Sequence, residues 1–261
     1  MQDSPICLFF DFDGTTFIDL KFPKEITDAI KNAQEHGCKV FMNTGRSIVN
    51  LFKDLKKNTD IVFDGYLCNF ASIYLGNDAK NIVCEKFMDK KDVFAFIDYC
   101  EKYSYWATLD IEGQPPHTIK LHGDVVYSAE EKKQICDIAR DIAKNFNIVK
   151  TCVYPPISVN YIATNLEEEN PNVKWIQTER GYECGLSDKG TLLDEFAKLM
   201  DYDPYKFVVF GDSENDVDMF MHAKTSVAMA HAPKILRDKA TFVMTEKYGV
   251  AEFLNKLFPK K

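Results

Sequence analysis

The alternation of apolar and polar positions divides the chain into short strands and helices. Ile6 to Phe10 is a brief apolar run that predicts a buried strand. A helix follows from Pro23, whose missing amide hydrogen is no loss in a first helical turn. Its apolar positions Ile26, Ala29, Ile30 and Ala33 recur at helical spacing, and Gly37 suits its end. Lys39 to Met42 predicts a second strand. Ser47 then opens a helix with Ile48, Leu51, Phe52 and Leu55 on one face. Ile61 to Phe63 and Tyr66 to Leu75 read as further strand. The C-terminal part repeats this grammar. An amphipathic helix covers Thr191 to Met200, a strand covers Lys206 to Phe210, and another helix runs from Asp216 to His222. Strands alternating with helices at both ends predict a parallel sheet covered on both faces.

The middle of the chain has a different pattern. Val93, Phe96, Ile97 and Cys100 mark a helix. Ser128 and Glu131 have the spacing of a capping box, opening a helix with Ile135, Ile138, Ile142 and Phe146 inward. Strand formers fill Tyr105 to Ile111, Val149 to Tyr154, Ser158 to Thr164 and Lys174 to Thr178. The expected fold is α/β, a Rossmann-like parallel-sheet core with an inserted α+β domain. The core would be discontinuous, residues 1–81 and 185–261, around an insertion at 82–184.

Composition narrows the function. The 261 residues carry a formal net charge of -8, so the chain is a poor general binder of nucleic acid or of an anionic membrane. Any anion must be held by local positive groups. The eight cysteines form no C-x-x-C pair and the five histidines show no metal spacing, which speaks against zinc. No basic segment followed by an apolar stretch opens the chain, and no apolar run reaches the length of a membrane span. A reduced, cytoplasmic protein is the expectation.

Three predicted strands run into polar residues. The first ends at Asp11-Phe12-Asp13-Gly14-Thr15-Thr16, the second at Asn43-Thr44-Gly45-Arg46 and the third at Gly211-Asp212-Ser213-Glu214-Asn215-Asp216. Ligands of open parallel sheets bind beyond the carboxyl ends of the strands, so these segments can meet in one crevice. Asp11, Asp13, Asp212 and Asp216 would crowd four carboxyl groups there, and a hard divalent cation relieves the repulsion. Oxygen ligands favour magnesium, which keeps several waters and commonly engages phosphate. Thr44, Gly45, Asn215 and Lys189, from Ser187-Asp188-Lys189-Gly190 before the third helix, can surround a phosphate.

D-F-D-G-T-T, N-T-G-R, S-D-K-G and G-D-S-E-N-D, in this order, resemble the four motifs of the haloacid dehalogenase-like superfamily. The large insertion between the second and third motifs resembles the Cof-type phosphatases with a C2 cap of subclass IIB. The resemblance implies that Asp11 is the nucleophile attacking phosphorus, and Asp13 the general acid and then base. It implies magnesium held by the Asp11 carboxylate, the Asp13 backbone carbonyl and Asp212, with Asp216 orienting Lys189 or metal-bound water. Thr44, the Phe12 and Gly45 amides and Asn215 would contact phosphate, and Lys189 would offset charge on Asp11 and the transferring group. Arg46 is a further candidate for phosphate or substrate, with a surface ion pair as its alternative. Asn69-Phe70-Ala71 resembles the N-G-A loop of relatives, with Phe70 in place of glycine.

The reaction this implies is magnesium-dependent hydrolysis of a small phosphomonoester, a sugar phosphate first, through an aspartyl-phosphate. The cap would close over the crevice and exclude a protein substrate. The partner is a small phosphorylated metabolite, with no nucleic acid or membrane, and the chain a monomer or weak oligomer. A phosphomutase or phosphotransferase, a pyridoxal phosphate or flavin nucleotide phosphatase, and a non-catalytic binding protein are the alternatives. A signalling receiver also uses aspartate, magnesium, threonine and lysine, but it is about half this length.

Overall fold

The computed structural model describes residues 5–122, 126–154, 173–178 and 181–259. The chain divides into two compact units, Met1–Cys84 with Asp188–Lys261, and Glu85–Ser187. The first unit opens with β1 (Cys7–Phe10), α1 (Lys24–Glu35), β2 (Lys39–Thr44), α2 (Ile48–Asn58), β3 (Gly65–Cys68), β4 (Ser72–Leu75) and β5 (Asn81–Glu85). The second holds α3 (Lys90–Tyr103), β6 (Trp106–Ile111), β7 (His117–Lys120), α4 (Ala129–Asn145), β8 (Ile148–Tyr154), β9 (Lys174–Thr178) and β10 (Gly181–Gly185). The chain then returns through α5 (Lys189–Met200), β11 (Phe207–Gly211), α6 (Val217–His222), β12 (Thr225–Ala228), α7 (Lys234–Arg237), β13 (Phe242–Val243) and α8 (Gly249–Leu257).

The core sheet runs β13-β12-β11-β1-β2-β3-β4-β5, parallel from β13 to β3, with β4 antiparallel to β3. Successive strand residues face opposite sides of a sheet, and each side here has its own apolar cluster. Leu8, Phe10, Val40 and Met42 join the inner faces of α1, α2 and α8. Cys7, Phe9, Phe41 and Val209 join those of α5, α6 and α7. Burial on both faces explains why β1 and β11 read as unbroken apolar runs.

Two expectations change here. Ile61 to Phe63 is unpaired chain leading to β3, with the Phe63 amide donating to Asn77 Oδ1 at 3.0 Å. Tyr66 to Leu75 is a hairpin rather than one strand. Asn69 and Phe70 turn it at φ 57° and 59°, closed by Ala71 N donating to Cys68 O at 3.0 Å. Two positive φ angles make this the primed type of turn, in which glycine is at home and a phenylalanine is not. Phe70 is buried, and burial of its ring offsets the cost of about 1–2 kcal/mol of the left-handed backbone.

The second unit is an antiparallel sheet in the order β7-β6-β8-β10-β9, packed with α3 and α4 around one apolar cluster. Ser128 and Glu131 do form the capping box of α4. The buried stripe of that helix is Cys136, Ala139 and Ala143, while Ile138 and Phe146 are exposed, so the inward face is offset from the expected one. Small residues let α4 lie close, and Ile135 and Ile142 flank the contact as expected. Lys150 of β8 is buried opposite Asp110, with Nζ 3.1 Å from Glu183 Oε2 and 3.9 Å from Asp110 Oδ2. The expected strand Ser158 to Thr164 lies outside the described residues. Among the described residues no helix is long and apolar enough to cross a membrane, and all eight cysteines are free.

Candidate active site

Strand register brings the motif residues together. Phe10 of β1 pairs with Met42 of β2 on one side and Phe210 of β11 on the other. The three strands therefore release Asp11, Asn43-Thr44 and Gly211-Asp212 at nearly one level. From β1 the chain crosses to β2, while β11 continues to β12 on the opposite side, so this edge is the topological switch point where open α/β sheets hold ligands.

Asp11 is buried just past β1, and its amide extends the pairing by donating to Phe210 O at 2.9 Å. The loop behind it is closed by Phe17 N donating to Phe12 O at 2.7 Å and by the Thr16 hydroxyl donating to Asp11 O at 2.9 Å. Gly14 serves two needs. It sits at φ 80°, and a Cβ on it would lie 2.2 Å from Asp212 Oδ2. Next to it, the Thr15 hydroxyl donates to Asp212 Oδ1 at 2.7 Å.

Lys189 is the first residue of α5, whose N-cap Asp188 accepts Thr191 N at 2.6 Å. Its ammonium is fully buried and donates to Asp11 Oδ1 at 2.5 Å, Asp216 Oδ1 at 2.6 Å and Asn215 Oδ1 at 3.1 Å. Three acceptors match its three hydrogens. The second Asp216 oxygen accepts the amides of Asp212 and Ser213 at 2.9 and 3.0 Å. Gly211 permits this packing, since a Cβ there would lie 2.5 Å from Asp216 Cγ. Asn215 Oδ1 also accepts the Ser213 hydroxyl at 2.9 Å, which leaves the amide NH2 to donate elsewhere.

Burial pushes the Asp11 carboxyl well above the usual carboxylate range. Lys189 opposes that shift, and the charges of Asp216 and Asp212 add to it. Burial also works against the Lys189 ammonium, but Asp11 and Asp216 outweigh it and raise the group above its ordinary value. Negative charge is thus in surplus. One ligand atom each from Asp11, Asp212 and Asp216 lies within 4.8 Å of the others, and Lys189 is bonded to two of these residues. Hard oxygen donors and uncompensated negative charge fit a hard divalent cation such as magnesium.

The side chain of Asp13 stands outside this cluster. Its carboxylate is exposed and gripped by Arg46, Nε to Oδ2 and Nη2 to Oδ1, each at 2.6 Å. A bidentate guanidinium explains the diversion. Arg46 also donates to Asp54 Oδ2 at 2.6 Å and lies 4.8 Å from the centre of the Phe12 ring. Of the four carboxylates read as crowded together, three are, while the Asp13 side chain pairs with arginine. Thr44 is buried, and its Oγ1 accepts the Arg46 amide at 3.2 Å, so its hydroxyl hydrogen stays available. Gly45 lies partly exposed in the turn that follows.

Sequence reasoning passed over Asn43, Thr15 and His231. Asn43 is buried and donates to Lys189 O at 3.1 Å, tying the end of β2 to α5. Thr15 lay within a motif but had no assigned role. His231 lies outside every motif, in the turn after β12, and its Nε2 is 3.2 Å from Asp212 Oδ2.

The family model for haloacid dehalogenase-like hydrolases matches residues 8–254. The chain is 25% identical to the 5-amino-6-(5-phospho-D-ribitylamino)uracil phosphatase of Bacillus subtilis (strain 168), over 96% of this chain and 97% of that one. Among solved structures, a haloacid dehalogenase-like hydrolase from B. subtilis superposes with a TM-score of 0.80 at 18% identity, covering 97% of this chain and 99% of the other. A subclass IIB sugar phosphatase gives a TM-score of 0.75 at 21% identity, covering 96% and 98%. The chain belongs to the haloacid dehalogenase-like hydrolases, as a phosphatase of the Cof type.

Proposed function

We propose that this enzyme is a magnesium-dependent phosphatase that hydrolyses a small phosphomonoester, a sugar phosphate first, through a phospho-aspartate at Asp11. The observation that carries this reading is Asp11 itself, a buried carboxylate at the sheet switch point, bonded to a buried lysine and crowded by two further carboxylates. A carboxylate so oriented can act as a covalent nucleophile and divide one difficult displacement into two.

In the first step an Asp11 oxygen bonds to phosphorus as the bond from phosphorus to the leaving oxygen breaks. Asp13 gives that oxygen its proton. In the second step Asp13 takes a proton from water, water oxygen bonds to phosphorus, and Asp11 is released with inorganic phosphate. Such a proton-transfer group contributes on the order of 10²–10⁴-fold. For Asp13 to act, Arg46 must let go of it, and an anionic oxygen of the substrate is the natural exchange partner.

Around the phosphate, the Thr44 hydroxyl, the Phe12 and Gly45 amides and the Asn215 amide are the donors, and Lys189 balances charge on Asp11. Asp11 and Asp212, with the Asp13 backbone carbonyl, would hold magnesium. Asp216 has both oxygens engaged, so it fits better as the group that orients Lys189. Bound there, the metal would neutralise charge on the phosphate and shield it from Asp11. Phosphoryl transfer depends mainly on such positioning and charge stabilisation.

The substrate named for the B. subtilis relative gives a second reading, a ribityl-uracil phosphate. The test is phosphate release from sugar phosphates, a ribityl-uracil phosphate, pyridoxal phosphate and nucleotides, with magnesium and with chelator. Magnesium-dependent release without any bisphosphate activator is expected, which also separates hydrolase from mutase. No release from any compound, or release indifferent to chelator, would sink the reading.

A further inference from the structure

Within the acidic cluster, the three bonds of Lys189 serve Asp11, Asn215 and Asp216. Asp212 is held by other means. Thr15 donates to its Oδ1 at 2.7 Å, and His231 Nε2 lies 3.2 Å from its Oδ2. An ionised carboxylate only accepts hydrogen bonds, so Nε2 carries the ring hydrogen of this pair. A carboxylate has about four lone-pair directions, and these two donors leave one free on each oxygen.

The position of His231 is built into the fold. Met229 N donates to Gly211 O at 3.0 Å, which fastens the turn to the strand end that carries Asp212. Ala232 N closes the turn by donating to Met229 O at 3.0 Å. Met229 and Ala232 are buried on either side, while the His231 side chain is about half exposed, 53%. The histidine therefore adds little to the core. Its polar contact is directed at Asp212.

We propose that His231 is a positioning residue for the divalent cation. It fixes the Asp212 carboxylate from the side opposite Thr15 and so sets how tightly the site holds magnesium. The proposal rests on the magnesium site described above. Outer partners of ligating groups orient them, and their loss typically costs about 10–100-fold in metal affinity.

The test needs no substrate. Thermal unfolding of wild type, His231→Ala and His231→Gln is followed across a magnesium series, since a ligand of the native state raises the midpoint by mass action. The expectation is that His231→Ala needs about tenfold more magnesium, or beyond, for the same rise. His231→Gln keeps an N–H donor and should recover most of the difference. An unchanged magnesium dependence in His231→Ala, beside a responsive wild type, overturns the proposal alone. A His231→Gln variant no better than His231→Ala overturns the donor role. A wild type whose midpoint ignores magnesium overturns the metal reading and this proposal together.

Discussion

Lys189 Nζ lies 2.5 Å from Asp11 Oδ1, and both groups are buried at the end of the same sheet. A buried ion pair is a weak source of net stability, but removing one partner strands the other without its countercharge. Lys189→Met strands two carboxylates, Asp11 and Asp216. The expected loss is about 3–5 kcal/mol in metal-free protein, and smaller when magnesium is present. Urea unfolding with chelator and with magnesium measures both. Equal losses in the two conditions would show that the cluster does not share its charge with a cation.

Gly14 is bound by geometry on two counts, its φ of 80° and the closeness of Asp212. Gly14→Ala would place a methyl carbon 2.2 Å from Asp212 Oδ2, so the loop or the carboxylate must move. A shift near 1 Å at reacting groups can cost on the order of 10²-fold. The expectation is a fall of that size in kcat/KM, with more magnesium needed for half-maximal activity. Steady-state kinetics across magnesium concentrations decides it, and wild-type constants would contradict the account.

Arg46 grips Asp13 with two nitrogens and rests on Phe12. If Arg46 exchanges Asp13 for a substrate oxygen, Arg46→Ala weakens substrate binding, raising KM about tenfold or more. Arg46→Lys should restore little, because an ammonium cannot reproduce the planar fork. An unchanged KM in Arg46→Ala would make the pair a surface clamp with no part in binding.

Much of this site was legible because each motif combines chemistry with a turn that the backbone requires. Gly14 and Gly211 mark close approaches to Asp212 and Asp216, and Asp188 marks a helix start. The strands β1 and β11 were legible as apolar runs because both faces are covered. The hairpin at Asn69 and Phe70 was not, since a phenylalanine at φ 59° gives no turn signal and its cost is offset only by burial. On α4, Ile135 and Ile142 do pack against the core, but the exposed Ile138 and Phe146 depart from the expected inward face for a related reason. Isoleucines outrank alanines in a hydropathy pattern, yet close packing selected Ala139 and Ala143. The pairing of Asp13 with Arg46, across 33 positions of sequence, and that of His231 with Asp212 depend on side-chain direction, which spacing does not encode.

In the second unit, burial lifts the Asp110 carboxyl above the ordinary carboxylate range. Lys150 opposes this and Glu183 adds to it. A carboxyl raised on folding resists ionisation in the native state. Its cost is absent below the unfolded value and grows as pH rises through that value toward the folded one. Lys150→Met removes the opposing charge, so its destabilisation should reach about 3–5 kcal/mol at pH 8 and be smaller at pH 5. The two tryptophans, Trp106 and Trp175, both lie in this unit, so their fluorescence during urea unfolding reports on it directly. A loss equal at both pH values would contradict the assignment.

The proposed phospho-aspartate is a covalent species, so it can be trapped. Enzyme mixed with substrate and magnesium is quenched in acid, reduced with borohydride, digested and examined by mass spectrometry, beside Asp11→Asn. Borohydride converts an aspartyl-phosphate to homoserine. Homoserine is expected at position 11 in wild type, only when substrate is present, and none in Asp11→Asn, whose turnover falls below about a thousandth of wild type. Wild-type turnover with no modified residue at position 11, or full activity in Asp11→Asn, would contradict it.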